Sequence, residues 1–585
     1  MAATRNVVNR VAAAAGGRGR LRSRSGGPRR VRRVRSYLAV GAFALALAAL
    51  CHGHYVKPHG DFFDLRETGR ALLAGHMPAT SKRAPLFPLF VTATGRVLAW
   101  LPGGDRPPDQ RAAELINAAL LVVNTLLIAA LAGARRGRGA AWVACWFALL
   151  PVGLHLTAHA LLEPLLVTTI LVTLWLAERG SRWAYVAAAA AGLTRLDAAG
   201  ALLGVAIADA SRAAPRAALR RLALAAIPLA AWLAWTAWTW QSGARDHYFA
   251  QIAERPTFDP LAPLRQVWAC VIPFDRLRAP VWAAELAPSL FLSLRLAVLG
   301  CLLIGAADCL RRRKPAALVA GALAAGYWAA HAVFPFDFDR FGYPLAPLFL
   351  LGAQRGFRLV AAGFRFVVRS RSARLALAAV ASALLVVVGM AEIESAWLAF
   401  SRRSDRLAYL PAVALAGVIL VWLSTARRRV GSVVLLLAAA VFAGASTRVS
   451  LATLGTGQEM RGLVAAARWA RDHARRGAVL SAMPGLLRLY AGGAAPDRFI
   501  GPEDIAAPDL AGALAECRRR DVRFVIWYEG LIAEHGAYYA AKWRLERFAP
   551  LEMPGAAFPS CDLRLLHEFQ SPPTRVWILR QGSSP

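Results

Sequence analysis

Acidic side chains are scarce in this chain of 585 residues: 35 Asp and Glu stand against 70 Lys and Arg. In a soluble protein that imbalance would point to nucleic acid. Here the basic residues fall in short clusters between long apolar runs, the way a membrane protein marks its cytoplasmic loops, so nucleic acid is not an expected partner. Cysteine is scarce as well. The 7 cysteines form no CxxC pair and no metal-ligand spacing, and the zinc and dithiol motifs built on such spacing are absent. Cys51, Cys145, Cys270, Cys301 and Cys309 lie in or beside apolar runs, where a thiol behaves as a small buried hydrophobe. Cys517 and Cys561 remain as the one pair placed to form a disulfide. The chain also lacks GxxxxGK[ST] and a placed GxGxxG, so no nucleotide-binding loop is expected.

Apolar surface is what the chain has in excess. Hydrophobic residues make up 57% of it, against roughly 45–50% in soluble domains, and they gather in runs long enough to cross a bilayer. A basic stretch ending at Arg29, Arg30, Arg32, Arg33 and Arg35 precedes the first run. His52, Gly53 and His54 make a poor cleavage site, so residues 1–35 are expected to be a basic cytoplasmic tail, disordered as far as about Gly27, before an uncleaved first span. Orienting the runs by their basic flanks gives about thirteen spans within residues 36–449. Span one is 37–54, and a long outer loop, 55–113, carries an interfacial helix over 85–101. Further spans fall at 115–134, 140–159, 163–177, 222–240, 288–308, 315–333, 341–353, 375–391, 407–424 and 430–446. The clusters at Arg135 to Arg138, Arg311 to Lys314, Arg355 to Arg374 and Arg427 to Arg429 all land inside. Arg402, Arg403 and Arg406 are the exception. Residues 183–208 carry Arg195 and Asp197 in their middle, where a charge facing lipid is costly, so they are expected to form a hairpin of two short segments that lifts Arg195 to the outer side.

Beyond the last span the composition changes. Over 450–585 the apolar runs shorten to strand length and alternate with amphipathic stretches, which predicts a small extracytoplasmic α/β domain. Its end, 563–569 and 574–580, reads as a hairpin around Pro572 and Pro573.

The polar residues hardest to explain as structure gather on the outer side. Asp61, Asp64 and Arg83 in the long loop are either a solvated surface or a base with a phosphate clamp. His155 and His159 share a helix face at the spacing of a metal pair, with Glu163 one step further on. A metal site, a polar turn closing a helical hairpin, and a substrate-binding group all stay open there. Arg195 and Asp197 form either a functional centre or a buried ion pair, and Arg340 and Tyr343 belong to a fourth group, residues 337–344.

In their order along the chain and their shared side, these motifs resemble the GT-C glycosyltransferases. The likeness is nearest to the protein mannosyltransferase and aminoarabinose transferase group, and it covers about residues 40–450. The resemblance implies a polytopic α-helical membrane protein of the GT-C fold with a small outer domain. It implies inverting transfer of a hexose or pentose from a polyprenyl-phosphate donor to a glycan, lipid or protein acceptor outside the cell (inner) membrane. By the same resemblance Asp61 is the catalytic acidic residue and Glu163 the second acidic position. Arg83 stands where relatives often have Lys, and Arg195 and Arg340 hold the carrier phosphate. Asp64, His155, His159 and Tyr343 are accessory candidates. The chemistry matches this inventory: a sugar phosphate carries its own leaving group, so displacement needs one base and cations at the departing phosphate. The richness in Ala and Arg suits a GC-rich bacterial genome, for which undecaprenyl phosphate is the expected carrier. The rival readings are a transporter or flippase of a lipid-linked or anionic substrate, which would show inverted repeats that are not seen, and a membrane scaffold whose outer domain binds a partner.

Overall fold

The computed structural model describes residues 27–53, 61–78, 83–101, 106–133, 138–212, 215–241, 258–271, 287–333, 339–367, 461–473, 477–481, 484–491, 498–501, 504–505, 507, 509–528, 563–571 and 574–581. The spans expected at 375–391, 407–424 and 430–446, the tail before residue 27, Cys561 and the Arg402 cluster lie outside them.

The membrane part begins with α1 (Gly27–Cys51), α2 (Asp61–Leu73), α3 (Leu86–Leu98) and α4 (Pro108–Leu131). Asp61 and Asp64 in the first turn of α2 and Arg70 in its last turn suit the helix dipole at each end. Phe62 and Leu65 turn one face of α2 onto Phe87 and Val91 of α3, and all four are buried. The approach is close enough that a Cβ at Gly69 would overlap the Pro88 carbonyl, so only glycine fits the crossing.

α4 shows why this part belongs in a bilayer. Gln110, Glu114, Asn117 and Asn124 repeat at helical spacing and are buried, while Leu115 and Val123 on the other face are 45% and 41% exposed. Polar inside and apolar outside is the pattern of a helix whose outer face meets lipid. Among the described residues two helices are long and apolar enough to cross a membrane, Pro108–Leu131 and Pro215–Thr239, and a bent pair could make a third.

That bent pair is α5 (Arg138–Ala148) and α6 (Pro151–Ala158), which meet at 53°. Hydropathy predicts a single span over 140–159. Pro151 breaks it, because proline cannot donate to the carbonyl one turn back. α7 (Glu163–Glu178) follows, then α8 (Trp183–Thr194), a 3-10 turn (Leu196–Ala199) and α9 (Gly200–Ala210). Tyr185, at the start of α8, donates a hydrogen bond of 3.0 Å to Asp209, near the end of α9. The two helices therefore run antiparallel, as the hairpin reading requires. At 12 and 11 residues each arm is roughly 17 Å long, too short to cross alone, and Arg195 sits at the tip.

α10 (Pro215–Gln241), α11 (Ala262–Val271), α12 (Ala287–Arg311) and α13 (Pro315–Ala332) come next, then a 3-10 turn (Asp339–Leu345) and α14 (Ala346–Val367). α14 does not stop near residue 353, as drawn from sequence, but carries Arg355 within it. Arg355 bonds Asp308 near the end of α12 at 2.7 Å, and Arg212 bonds the Ala177 carbonyl near the end of α7 at 3.0 Å. Each bond ties a basic residue to the end of a neighbouring helix.

The C-terminal unit follows: α15 (Arg461–His473), β1 (Ala478–Ser481), α16 (Pro484–Ala491), β2 (Phe499–Ile500), α17 (Leu510–Arg519), β3 (Val522–Tyr528), β4 (Leu563–Ser571) and β5 (Thr574–Gln581). The strands form one mixed sheet ordered β2-β1-β3-β5-β4. β1 is parallel to β2 and β3, and the β4–β5 hairpin closes antiparallel on β3. Helices and strands alternate as far as β3, and β4 and β5 pair antiparallel. Leu463, Leu486 and Leu487 of this unit share one buried apolar cluster with Phe62, Phe87, Leu162 and Leu165. Tyr490 donates to Gln110 on α4 at 3.0 Å, and burial pushes its hydroxyl pKa up to about 12. The long loop, the α6–α7 turn and the C-terminal unit therefore lie at the same end.

Candidate active site

Three segments far apart in the chain converge beneath the C-terminal unit. Asp61 opens α2, Arg83 stands just ahead of α3, and Arg340 sits in the 3-10 turn before α14. Arg83 Nη2 lies 2.6 Å from Asp61 Oδ1 and 3.2 Å from Asp64 Oδ2. Arg340 Nη1 lies 2.8 Å from the other oxygen, Asp61 Oδ2. Arg83 is only 5% exposed, so its charge is held in a poorly solvated place where it acts strongly on any anion brought near. Each guanidinium takes one side of the same carboxylate, a bracket that would also fit the oxygens of a phosphate.

The bracket depends on backbone fit. A Cβ at Gly342 would overlap the Gln266 backbone of α11, so glycine lets the Arg340 turn lie flat on that helix. At the other edge, Arg66 and Arg70 of α2 both reach Asp109 at the start of α4, at 2.8 and 2.9 Å, and fix the rotation of α2.

Glu163 and Arg195 form a second centre. Arg195 Nη1 lies 3.7 Å from Glu163 Oε1, and Nη2 lies 2.8 Å from Asp197 Oδ2. His331 Nε2, from α13, is 2.9 Å from that same Asp197 oxygen. Arg195, expected at the carrier phosphate, contacts two carboxylates. The two centres share a wall: the Arg195 and Arg340 guanidinium carbons lie 4.9 and 5.2 Å from the centroid of the Phe341 ring. Glu163 reaches its place through a tight turn. Ala160 takes φ 59°, a left-handed conformation that costs an alanine roughly 1 kcal/mol or more and is held by its surroundings. Asn117 donates to the Leu161 carbonyl at 2.8 Å, and Asn124 donates to the Pro164 carbonyl at 2.9 Å.

The remaining candidates are placed elsewhere. The His155 and His159 rings pack edge to face with centroids 4.2 Å apart. No group of three or more His, Cys, Asp or Glu among the described residues is arranged to hold a metal. Tyr343 is buried, stacked 5.4 Å from Phe147 and close against Gly153, and it packs the bundle behind Arg340. His331, Asn117 and Asn124 were not singled out from sequence. A histidine or an asparagine within an apolar helix reads as ordinary core or a polar spot, and only their partners on other helices give them a role. The intramembrane position of His331 was the one signal available.

The helical order around this site, with the small α/β unit at its end, is a fold that solved structures share. The solved structures that share it include ArnT from Cupriavidus metallidurans bound to undecaprenyl phosphate, at TM-score 0.52 and 15% identity over 92% of this chain and 97% of that one. The same enzyme in its apo state matches at TM-score 0.50 with the same identity and coverage. An oligosaccharyltransferase from Archaeoglobus fulgidus, also apo, matches at TM-score 0.46 and 12% identity over 87% of this chain and 71% of that one. No family model and no curated protein matches the sequence.

Proposed function

We propose that this protein is a membrane glycosyltransferase that moves a sugar from a polyprenyl-phosphate carrier to an acceptor on the extracytoplasmic face, with inversion and with Asp61 as the base. The observation that carries the proposal is the Asp61 carboxylate bracketed by Arg83 and Arg340 at 2.6 and 2.8 Å. The undecaprenyl phosphate held by an ArnT of the same fold supports this class of carrier.

The geometry suggests how the reaction proceeds. Asp61 lies between the two guanidiniums as an ion pair with each. An arriving phosphodiester offers the same guanidiniums competing oxygens, and Asp61 then turns a lone pair to the acceptor hydroxyl. The acceptor oxygen gives its proton to Asp61 and attacks the anomeric carbon from the face opposite the phosphate. The bond from that carbon to the phosphate oxygen breaks, and its electron pair stays on the phosphate. The leaving group gains a full negative charge in that step, and Arg83 and Arg340 meet it where little water competes. Their attraction is stronger at the transition state than at the start, which is the condition for catalysis. Asp64, bonded to Arg83, holds that guanidinium in place as Asp61 lets go.

The test is to incubate the purified wild-type protein with radiolabelled undecaprenyl-phosphate hexoses and pentoses in membranes of the source organism. The expected result is loss of one donor with label appearing in a glycan, lipid or protein fraction. Recovery of every donor intact, with labelled lipid moved across the bilayer, would replace the proposal with the flippase reading.

A further inference from the structure

The second centre holds a buried oxygen that no described residue satisfies. Glu163 is 3% exposed, and its Oε1 faces Arg195 at 3.7 Å. Its Oε2 is buried with no hydrogen-bond partner among the described residues, and Asp197 Oδ1 is in the same condition. A buried carboxylate oxygen left without a donor is costly, and where it persists it commonly awaits a ligand. The centre holds two carboxylates, and Arg195 lies against both of them. It is therefore built to accept hydrogen bonds rather than to hold an anion.

We propose that Glu163 and Asp197 accept hydrogen bonds from the hydroxyl groups of the donor's sugar ring, and that this centre selects the sugar while the Asp61 bracket holds its phosphate. This rests on the carrier-lipid reading above. Placement supports it: both guanidiniums lie about 5 Å from the Phe341 ring, at 4.9 and 5.2 Å, so the two centres stand within reach of one pyranose or furanose and its phosphate. The wall is aromatic on two sides, with Phe341 and with Tyr327, whose hydroxyl bonds the Phe341 carbonyl at 2.5 Å. Apolar walls with a few convergent polar atoms are the usual make-up of a small-molecule site. His331, 2.9 Å from Asp197 Oδ2 and stacked on Tyr327 with centroids 4.2 Å apart, is a positioning residue that fixes which Asp197 oxygen is left open.

The experiment compares two probes on the full-length protein in lipid nanodiscs: undecaprenyl phosphate without sugar, and a panel of undecaprenyl-phosphate hexoses and pentoses. Wild type is expected to bind at least one sugar-bearing lipid more tightly than the bare phosphate. Glu163→Gln and, separately, Asp197→Asn are expected to weaken that lipid roughly tenfold or more while leaving undecaprenyl phosphate within about twofold. Retained binding of the bare phosphate also shows that each variant is folded. If both variants lose the two probes in parallel, or lose neither, the sugar subsite is overturned. So it is if wild type binds all the lipids alike. Failure of wild type to bind even undecaprenyl phosphate overturns the carrier reading itself, and the subsite with it.

Discussion

Replacing Arg83 tests how the leaving phosphate is met. Its guanidinium contacts Asp61 at 2.6 Å and Asp64 at 3.2 Å and is 5% exposed. Arg83→Gln leaves Asp61 with Arg340 at 2.8 Å, so the ground state keeps one ion pair and the fold loses about 1.5–3 kcal/mol from charged hydrogen bonds. At the transition state the loss is larger, because charge develops there and one of two donors is gone. Removal of a single such donor typically costs about 100- to 1,000-fold in turnover. Arg83→Lys should fall between, at about tenfold, since an ammonium supplies the charge but not the fork that reaches two carboxylates. Single-turnover loss of labelled donor in nanodiscs, with intact protein checked by thermal unfolding, measures both variants. Arg83→Gln retaining more than about a tenth of wild-type turnover would refute the argument that this guanidinium meets the leaving group.

Other consequences follow from packing. Gly342→Ala forces a Cβ into the Gln266 backbone, so a lower unfolding temperature, from a cost of about 1–3 kcal/mol, and a marked drop in donor turnover are expected together. Asn124→Leu removes the bond to the Pro164 carbonyl and should destabilise by about 1–3 kcal/mol in detergent unfolding, with donor turnover falling as the Glu163 turn loosens. Burial raises the Tyr490 hydroxyl to about 12, above the roughly 10 of an unfolded tyrosine. The folded state keeps its proton where the unfolded state loses it, so the contribution is whole below pH 10 and declines from there towards 12. Limited proteolysis should find the C-terminal unit released more readily across that window in wild type, and not in Tyr490→Phe.

Much of this site could be read from the sequence, and the limits have a physical cause. Asp61, Arg83 and Arg340 were legible because a carboxylate and guanidiniums beside apolar runs have few structural reasons to be there. The hairpin at Thr194 to Asp197 was legible by the same cost argument, and the Tyr185–Asp209 bond shows it. What could not be read was grouping. The resemblance groups Arg195 with Arg340 at the carrier phosphate, and the fold sets each against a different carboxylate, with Phe341 beside both. His331 lies 134 residues from Asp197, and no local pattern announces such a pairing. The bend at Pro151 was missed because hydropathy is blind to direction, although the proline itself was in view.

The most direct test of the account is single-turnover donor consumption by Asp61→Asn, with undecaprenyl phosphate binding measured on the same sample. Asparagine keeps the shape and removes the base, so turnover should fall roughly 100- to 10,000-fold while the bare phosphate still binds. Turnover within tenfold of wild type, on folded protein, would show that Asp61 does not take the acceptor's proton and would contradict the mechanism.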